Sequence, residues 1–306
     1  MEKEETGQGF SLEEIQKSLA KSRIKRRSLM NQGFPVHKSK KKDKKRGEKA
    51  RKKDKKTEEK PKKSSKRKNH LEDERIPTGI ENFDRLIEGG FEKDSTNLLV
   101  GSSGSGKSIF ATQFLIEGLK RDEKCLYITF EEKKEEFYEN MGDFGWDLEK
   151  EDEGGNFVFL EYTPEKVRAM LEEGGGIIEN IILKKNVTRV VIDSITSFEL
   201  LFETDIEKRE AALALFNMLS KWNCTSLLTY EGEPSRERTV ASRTLEFESD
   251  SIILMYFLRQ KKLRERFLEI LKMRGTNHSR EIHPFKISDK GIVVSKEEFE
   301  GKLKNT

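Results

Sequence analysis

Residues Gly101 to Ser108 read G-S-S-G-S-G-K-S, the pattern G-x-x-x-x-G-K-[ST]. An apolar run, Asn97-Leu98-Leu99-Val100, precedes it, and Ile109, Phe110, Phe114 and Leu115 follow at helical spacing. A strand, a glycine loop and a helix form the setting this pattern requires. A glycine-rich surface turn would share the composition without that setting. Glycines let backbone N–H groups turn inward around phosphate oxygens without a Cβ in the way. The positive end of the following helix adds a favourable field. The pattern therefore predicts that Gly101, Ser102, Ser103, Gly104, Ser105, Gly106, Lys107, Ser108 and Ile109 wrap the phosphates of a nucleotide. Lys107 would reach the β- and γ-phosphates, and the Ser108 hydroxyl would sit on Mg²⁺.

Charge divides the 306-residue chain. Residues 38–69 hold 19 lysines and arginines against five acids, a net of +14, and one apolar side chain, Ala50. The remaining 41 basic and 51 acidic residues leave −10. So polar a tract cannot bury a core and is expected to be a disordered linker. Lys38–Lys68 suits a nucleic acid or another polyanion; a solvated tail without a partner fits the composition equally well. Before it, Ser11-Leu12-Glu13-Glu14 reads as a capping-box start to a short basic amphipathic helix. That helix would dock a partner or fray. Three regions follow: a short segment over 1–37, a lysine-rich linker over 38–72, and one folded domain over 73–306.

No run of about 18 apolar residues is present, so no membrane span is expected. The acidic start, Met1-Glu2-Lys3-Glu4-Glu5, lacks the apolar stretch of a secretory leader. Cys125 and Cys224 stand apart in apolar runs and read as buried thiols. A cytoplasmic protein is expected.

From Arg75 onward strands and helices alternate. Strands are predicted at 97–100, 125–130, 157–161, 189–193 and 225–229. Helices are predicted at 109–120, 132–142, 165–183 and 208–221. Apolar strands separated by helices imply an α/β fold with a mostly parallel sheet covered on both faces. Short strands at 252–258, 267–273, 283–287 and 292–294 predict an antiparallel C-terminal extension.

The strand Arg189-Val190-Val191-Ile192 ends in Asp193, a Walker B pattern. Asp193 would hold Mg²⁺ through water, opposite Ser108. Glu131 and Glu132 follow the second strand of the alternating series, where strand ends line the crevice of a parallel sheet. A carboxylate there can orient an attacking water and accept its proton, with Lys107 stabilising the transferred phosphoryl group. Lys272 and Arg274, two apart, point to one face of a predicted strand. They would serve a neighbour's phosphate or stand as solvated charges on a sheet edge.

Together these residues resemble KaiC-like ATPases of the RecA superfamily over about 75–296. The similarity runs in order. Thr78-Gly79-Ile80 with Phe83-Asp84 and Gly89-Gly90 comes first, then Gly101–Ser108 with Gln113-Phe114-Leu115. Thr129-Phe130-Glu131-Glu132, Phe144-Gly145-Trp146 and Val191-Ile192-Asp193-Ser194 follow. Leu271-Lys272-Met273-Arg274-Gly275-Thr276 with His278, and Ile287-Ser288-Asp289-Lys290-Gly291, complete it. The resemblance implies a RecA-like fold, ATP and Mg²⁺ as ligands, and a homo-oligomeric ring, usually a hexamer, with ATP between subunits. It implies that Lys272, Arg274 and His278 act on the neighbour's nucleotide, and Asp289 on its sugar or base side.

The chain departs from the clock proteins of that family in two ways. They carry two such domains in tandem, and one set of motifs stands here. Their phosphorylated Ser-Thr pair is replaced by Glu246-Phe247, so no autokinase activity is expected there.

The expected function is an ATP-hydrolysing, ring-forming switch whose nucleotide state an unknown protein partner reads. One alternative is a nucleic-acid-associated recombination or repair ATPase using the loop 231–248. That loop carries three arginines against five glutamates and one aromatic residue, Phe247, a poor track for phosphates. Another is a non-hydrolysing, ATP-gated scaffold like the archaellum ATPase subunit. If the basic tract carries nucleic-acid binding, deleting residues 1–70 removes most of that binding and its salt dependence, measured by anisotropy across a salt series. Retention of both would return attention to the folded core.

Overall fold

The computed structural model describes residues 75–163, 166, 176–234, 243–260 and 262–299. The expected helix from residue 11, the lysine-rich tract and the first half of the helix expected at 165–183 lie outside these residues. All described residues belong to one compact unit, Lys66–Thr306.

Strands β1 (Arg75–Ile76) and β2 (Phe91–Glu92) form a small antiparallel ribbon. Among the described residues the main sheet has nine strands: β3 (Thr96–Gly101), β4 (Lys124–Thr129), β5 (Phe157–Glu161), β6 (Val187–Asp193), β7 (Thr225–Glu231), β8 (Ser251–Gln260), β9 (Leu263–Met273), β10 (His283–Ser288) and β11 (Gly291–Val294). Their spatial order is β5-β4-β6-β7-β3-β8-β9-β10-β11. The first six run parallel, and the last three continue the sheet antiparallel. The sequence placed the strand at 252–258 in the antiparallel extension. As β8 it is instead the sixth parallel strand, paired to β3 from Asn97↔Ser251 to Gly101↔Met255.

Both faces of the sheet are covered, which is why its strands read as unbroken apolar runs. Leu98, Val100, Leu126, Ile128, Val190, Ile192 and Leu228 face one layer. That layer contains helices α4 (Gly176–Lys185) and α6 (Asp205–Trp222). Leu99, Cys125, Tyr127, Val191, Leu227 and Met255 face the other, built on α1 (Lys107–Leu119) and α2 (Lys134–Gly142). Helix α6 opens on a capping box of Thr204 and Glu207 and closes at Asn223 in the left-handed region.

Three short helices escaped the sequence reading: α3 (Leu148–Glu153), α5 (Ile195–Glu199) and α7 (Arg243–Glu248). None exceeds six residues, too few for an apolar period to register. α7 occupies the end of what the sequence read as a loop. Cys125 and Cys224 are free, buried thiols. Burial pushes both up to about 12. Among the described residues no helix is long and apolar enough to cross a membrane.

Arg189 is the largest fully buried side chain. It pairs with Glu123 through Nη2 and Nε at 2.7 and 2.8 Å. Its Nη1 donates to the carbonyls of Pro77 and Phe114 at 2.7 and 2.8 Å, so the guanidinium ties β6 to α1 and to the lead-in segment. Burial pushes the Glu123 carboxyl up, but the hydrogen bonds and charge of Arg189 outweigh it and hold it below the usual range. A carboxyl depressed in the folded state stabilises above its unfolded pKa of about 4.3, and that stability is lost as pH falls below it. Glu123→Gln strands a buried cation and is expected to cost about 2–3 kcal/mol in urea unfolding at neutral pH, with a flatter loss of stability below pH ~4.3.

Candidate functional site

Parallel pairing lines up the carboxyl ends of β4, β6, β7 and β3. Thr129 stands opposite Asp193, and Gly101 opposite Glu231. The loop 101–106 leaves β3 at this edge, and Lys107 and Ser108 open α1. The loop is drawn tightly onto the fold. A Cβ on Gly101 would stand 2.6 Å from Ser105 Oγ and 2.7 Å from the Met255 carbonyl. Gly106 has φ +103°, a conformation side chains rarely adopt. Ser103 and Gly104 are exposed, Ile109 is half-buried, and Ser105 is buried with its hydroxyl unpartnered.

Lys107 Nζ donates to the carbonyls of Gly101 and Ser102 at 2.9 and 3.0 Å. Burial lowers its ammonium below the ordinary lysine value, against the pull of Glu231, Asp193 and Glu131. A half-buried cation with only two carbonyl acceptors is suited to an added anion. Asp193 is fixed on both oxygens. Tyr127 OH donates to Oδ2 at 2.6 Å, and Thr229 Oγ1 donates to Oδ1. Burial, then the charge of Asp193, holds the Tyr127 phenol well above its usual pKa, so it stays a donor. Ser108 and Asp193 together present hydroxyl and carboxylate oxygens, the donor type that Mg²⁺ takes.

Thr129 sets the two glutamates. Its Oγ1 accepts from the backbone N–H of both Glu131 and Glu132 at 3.2 Å. Glu131 Oε1 then accepts from Ser194 Oγ at 3.2 Å and from Ser197 Oγ. Glu132 Oε1 accepts from Asn140 at 3.2 Å. Burial raises the Glu132 carboxyl, against that hydrogen bond, and the charge of Asp193 adds to the rise. Glu131 is tied by hydroxyls, and Glu132 by an amide.

The remaining cations stand elsewhere. β9 runs back from the loop end, so Lys272 and Arg274 lie at the opposite edge of the sheet, beside Ile252 and Asp250. β9 is an interior strand rather than the expected free edge, although beyond Leu268 its only ladder partner among the described residues is β8. Lys272 Nζ donates to the carbonyls of Ser249, Glu246 and Phe247 at 2.5, 2.8 and 3.4 Å. Arg274 donates to Phe247 O at 2.7 Å and Asp250 at 3.2 Å. Both therefore cap the C-terminal end of α7, whose free carbonyls favour cations. His278 Nδ1 contacts the Ser279 carbonyl at 2.7 Å. Asp289 is exposed in the β10–β11 turn. That turn is at the loop end, since Ile287 Cδ1 would lie 3.0 Å from a Cβ on Gly106.

Sequence reasoning missed Tyr127, Thr229, Glu231 and Arg266. Arg266 donates from Nε and Nη2 to Gly104 O at 3.2 and 3.0 Å and lies 4.2 Å over the Phe257 ring. Glu231 ends an apolar strand, a signal legible in the sequence. The others depend on register between strands distant in sequence.

The sheet order and the loop–helix geometry define a P-loop ATPase of RecA-like architecture. The family model described as "ATPase: KaiC" matches residues 76–299. The chain belongs to that family. It is 34% identical to a UPF0273 protein of Pyrococcus furiosus, over 72% of this chain and 93% of that one. It is 31% identical to the circadian clock protein KaiC3 of Synechocystis, over 72% of this chain and 45% of that one. The chain thus spans under half the length of that clock relative. Among solved structures, a KaiC-like protein from Pyrococcus horikoshii superposes with a TM-score of 0.65 at 34% identity, covering 72% of this chain and 98% of that one.

Proposed function

We propose that this protein binds ATP with Mg²⁺ and hydrolyses it slowly, as a ring-forming, hexameric switch with nucleotide seated between copies. The observation that carries the reading is the meeting of Lys107, Asp193 and Glu131 at one sheet edge, with Glu132 alongside. Residues 101–109 wrap the phosphates, and Lys107 exchanges its two carbonyl acceptors for phosphate oxygens. Ser108 and Asp193 hold the Mg²⁺, which when bound neutralises charge on the β- and γ-oxygens. Glu131, held by Ser194 and Ser197, orients the attacking water. Glu132, with its raised carboxyl, takes the proton.

Lys272 and Arg274 are too far from their own loop to act there. Six residues of β3 separate the two sheet edges, about 20 Å. In this reading they act with His278 on a neighbouring copy's nucleotide, and Asp289 faces its sugar or base. A partner protein reads the ATP state in the cytoplasm, and Lys38–Lys68 holds the particle near a polyanion.

Glu131→Gln with Glu132→Gln is expected to bind ATP as the wild type does and to lose at least a hundredfold in phosphate release. Unchanged turnover would remove both residues from catalysis. Lys107→Ala protein mixed with Lys272→Ala/Arg274→Ala protein is expected to regain part of the activity that each lacks alone, with ring size followed by light scattering. No recovery from intact assemblies would overturn the shared site.

A further inference from the structure

We infer that Tyr127 is a positioning residue for the metal-holding site, clamping the Asp193 carboxylate so that its remaining lone pairs face the cation. The inference rests on the Mg²⁺ reading above and adds to it a residue outside the P-loop and Walker B patterns.

A phenol has one proton, and Tyr127 gives it to Asp193 Oδ2 at 2.6 Å, so the carboxylate is held by a donor committed to it alone.

The carboxylate is held from both sides. Tyr127 fills one acceptor site on Oδ2 and Thr229 one on Oδ1, leaving each oxygen with capacity toward the cation's waters. The phenol cannot swing away. Tyr127 is fully buried, stacked on Phe159 at 5.6 Å with 6° between planes, and packed 4.4 Å from Phe137. These rings come from β5 and α2, so the orientation of the Asp193 carboxylate is set in part by packing against neighbouring elements.

The test is equilibrium binding of a fluorescent ATP analogue to the full chain, in excess MgCl₂ and in EDTA. Tyr127→Phe keeps the ring and removes the hydroxyl. It is expected to bind roughly tenfold more weakly in Mg²⁺ and as the wild type does in EDTA. Tyr138→Phe, which removes a hydroxyl bonded to the remote Asp152, is expected to match the wild type in both. Replacing Tyr127 by 4-aminophenylalanine restores a donor and should retain most of the metal dependence; this variant carries the test if Tyr127→Phe fails to fold. An equal loss with and without metal would make the hydroxyl merely structural and overturn the inference. So would no loss at all, or a 4-aminophenylalanine protein that folds but has lost its metal dependence. If wild-type binding itself ignores Mg²⁺, the metal reading fails and takes this inference with it. If the wild type responds to Mg²⁺ and Tyr127→Phe responds equally, the inference alone falls.

Discussion

Parallel pairing among β4, β6, β7 and β3 is the constraint on which the rest of the site depends. Each strand ends at the same edge, so the residue just past its last apolar position is delivered there. Gly101, Glu231, Asp193 and the Thr129–Glu132 turn arrive together for that reason. The register leaves little freedom, because a one-residue slip would turn every buried side chain to the other face. The apolar layers on both sides thus fix the position of the polar edge.

That edge collects four acidic groups around one ammonium, an arrangement with an excess of negative charge. Three of the carboxylates are individually tethered: Asp193 by Tyr127 and Thr229, Glu131 by two serines, Glu132 by Asn140. Glu231, exposed as Glu131 is, is anchored through its backbone, whose N–H donates to Thr196 Oγ1 at 2.6 Å. Oriented carboxylates around a half-buried cation are prepared for an added cation and anion together, which is the chemistry of a metal–triphosphate.

The opposite edge has its own logic. The antiparallel return of β9 carries Lys272 and Arg274 to the C-terminal carbonyls of α7. The same two side chains stabilise a six-residue helix in their own chain. Any second use of these cations competes with that capping. Long segments of the sheet separate the two edges within one chain.

Much of this was legible in the sequence. The P-loop needs glycines at fixed offsets and a lysine–serine pair, and local pattern suffices to find it. The nine main strands and the longer helices announced themselves through apolar runs and periodicity. The Asp193 and Glu131–Glu132 positions followed from strands that end in acids. The sequence did not reveal which strands are neighbours, because pairing between β3 and β7 spans about 130 residues and leaves no local mark. It therefore misassigned β8, missed α3, α5 and α7, and passed over Tyr127, which reads as one more apolar strand residue. Local chemistry determined the loop and its ligand class, since both depend on consecutive residues. Only tertiary packing decided which hydroxyls and carboxylates face one another, because that depends on the register of a sheet assembled from distant strands.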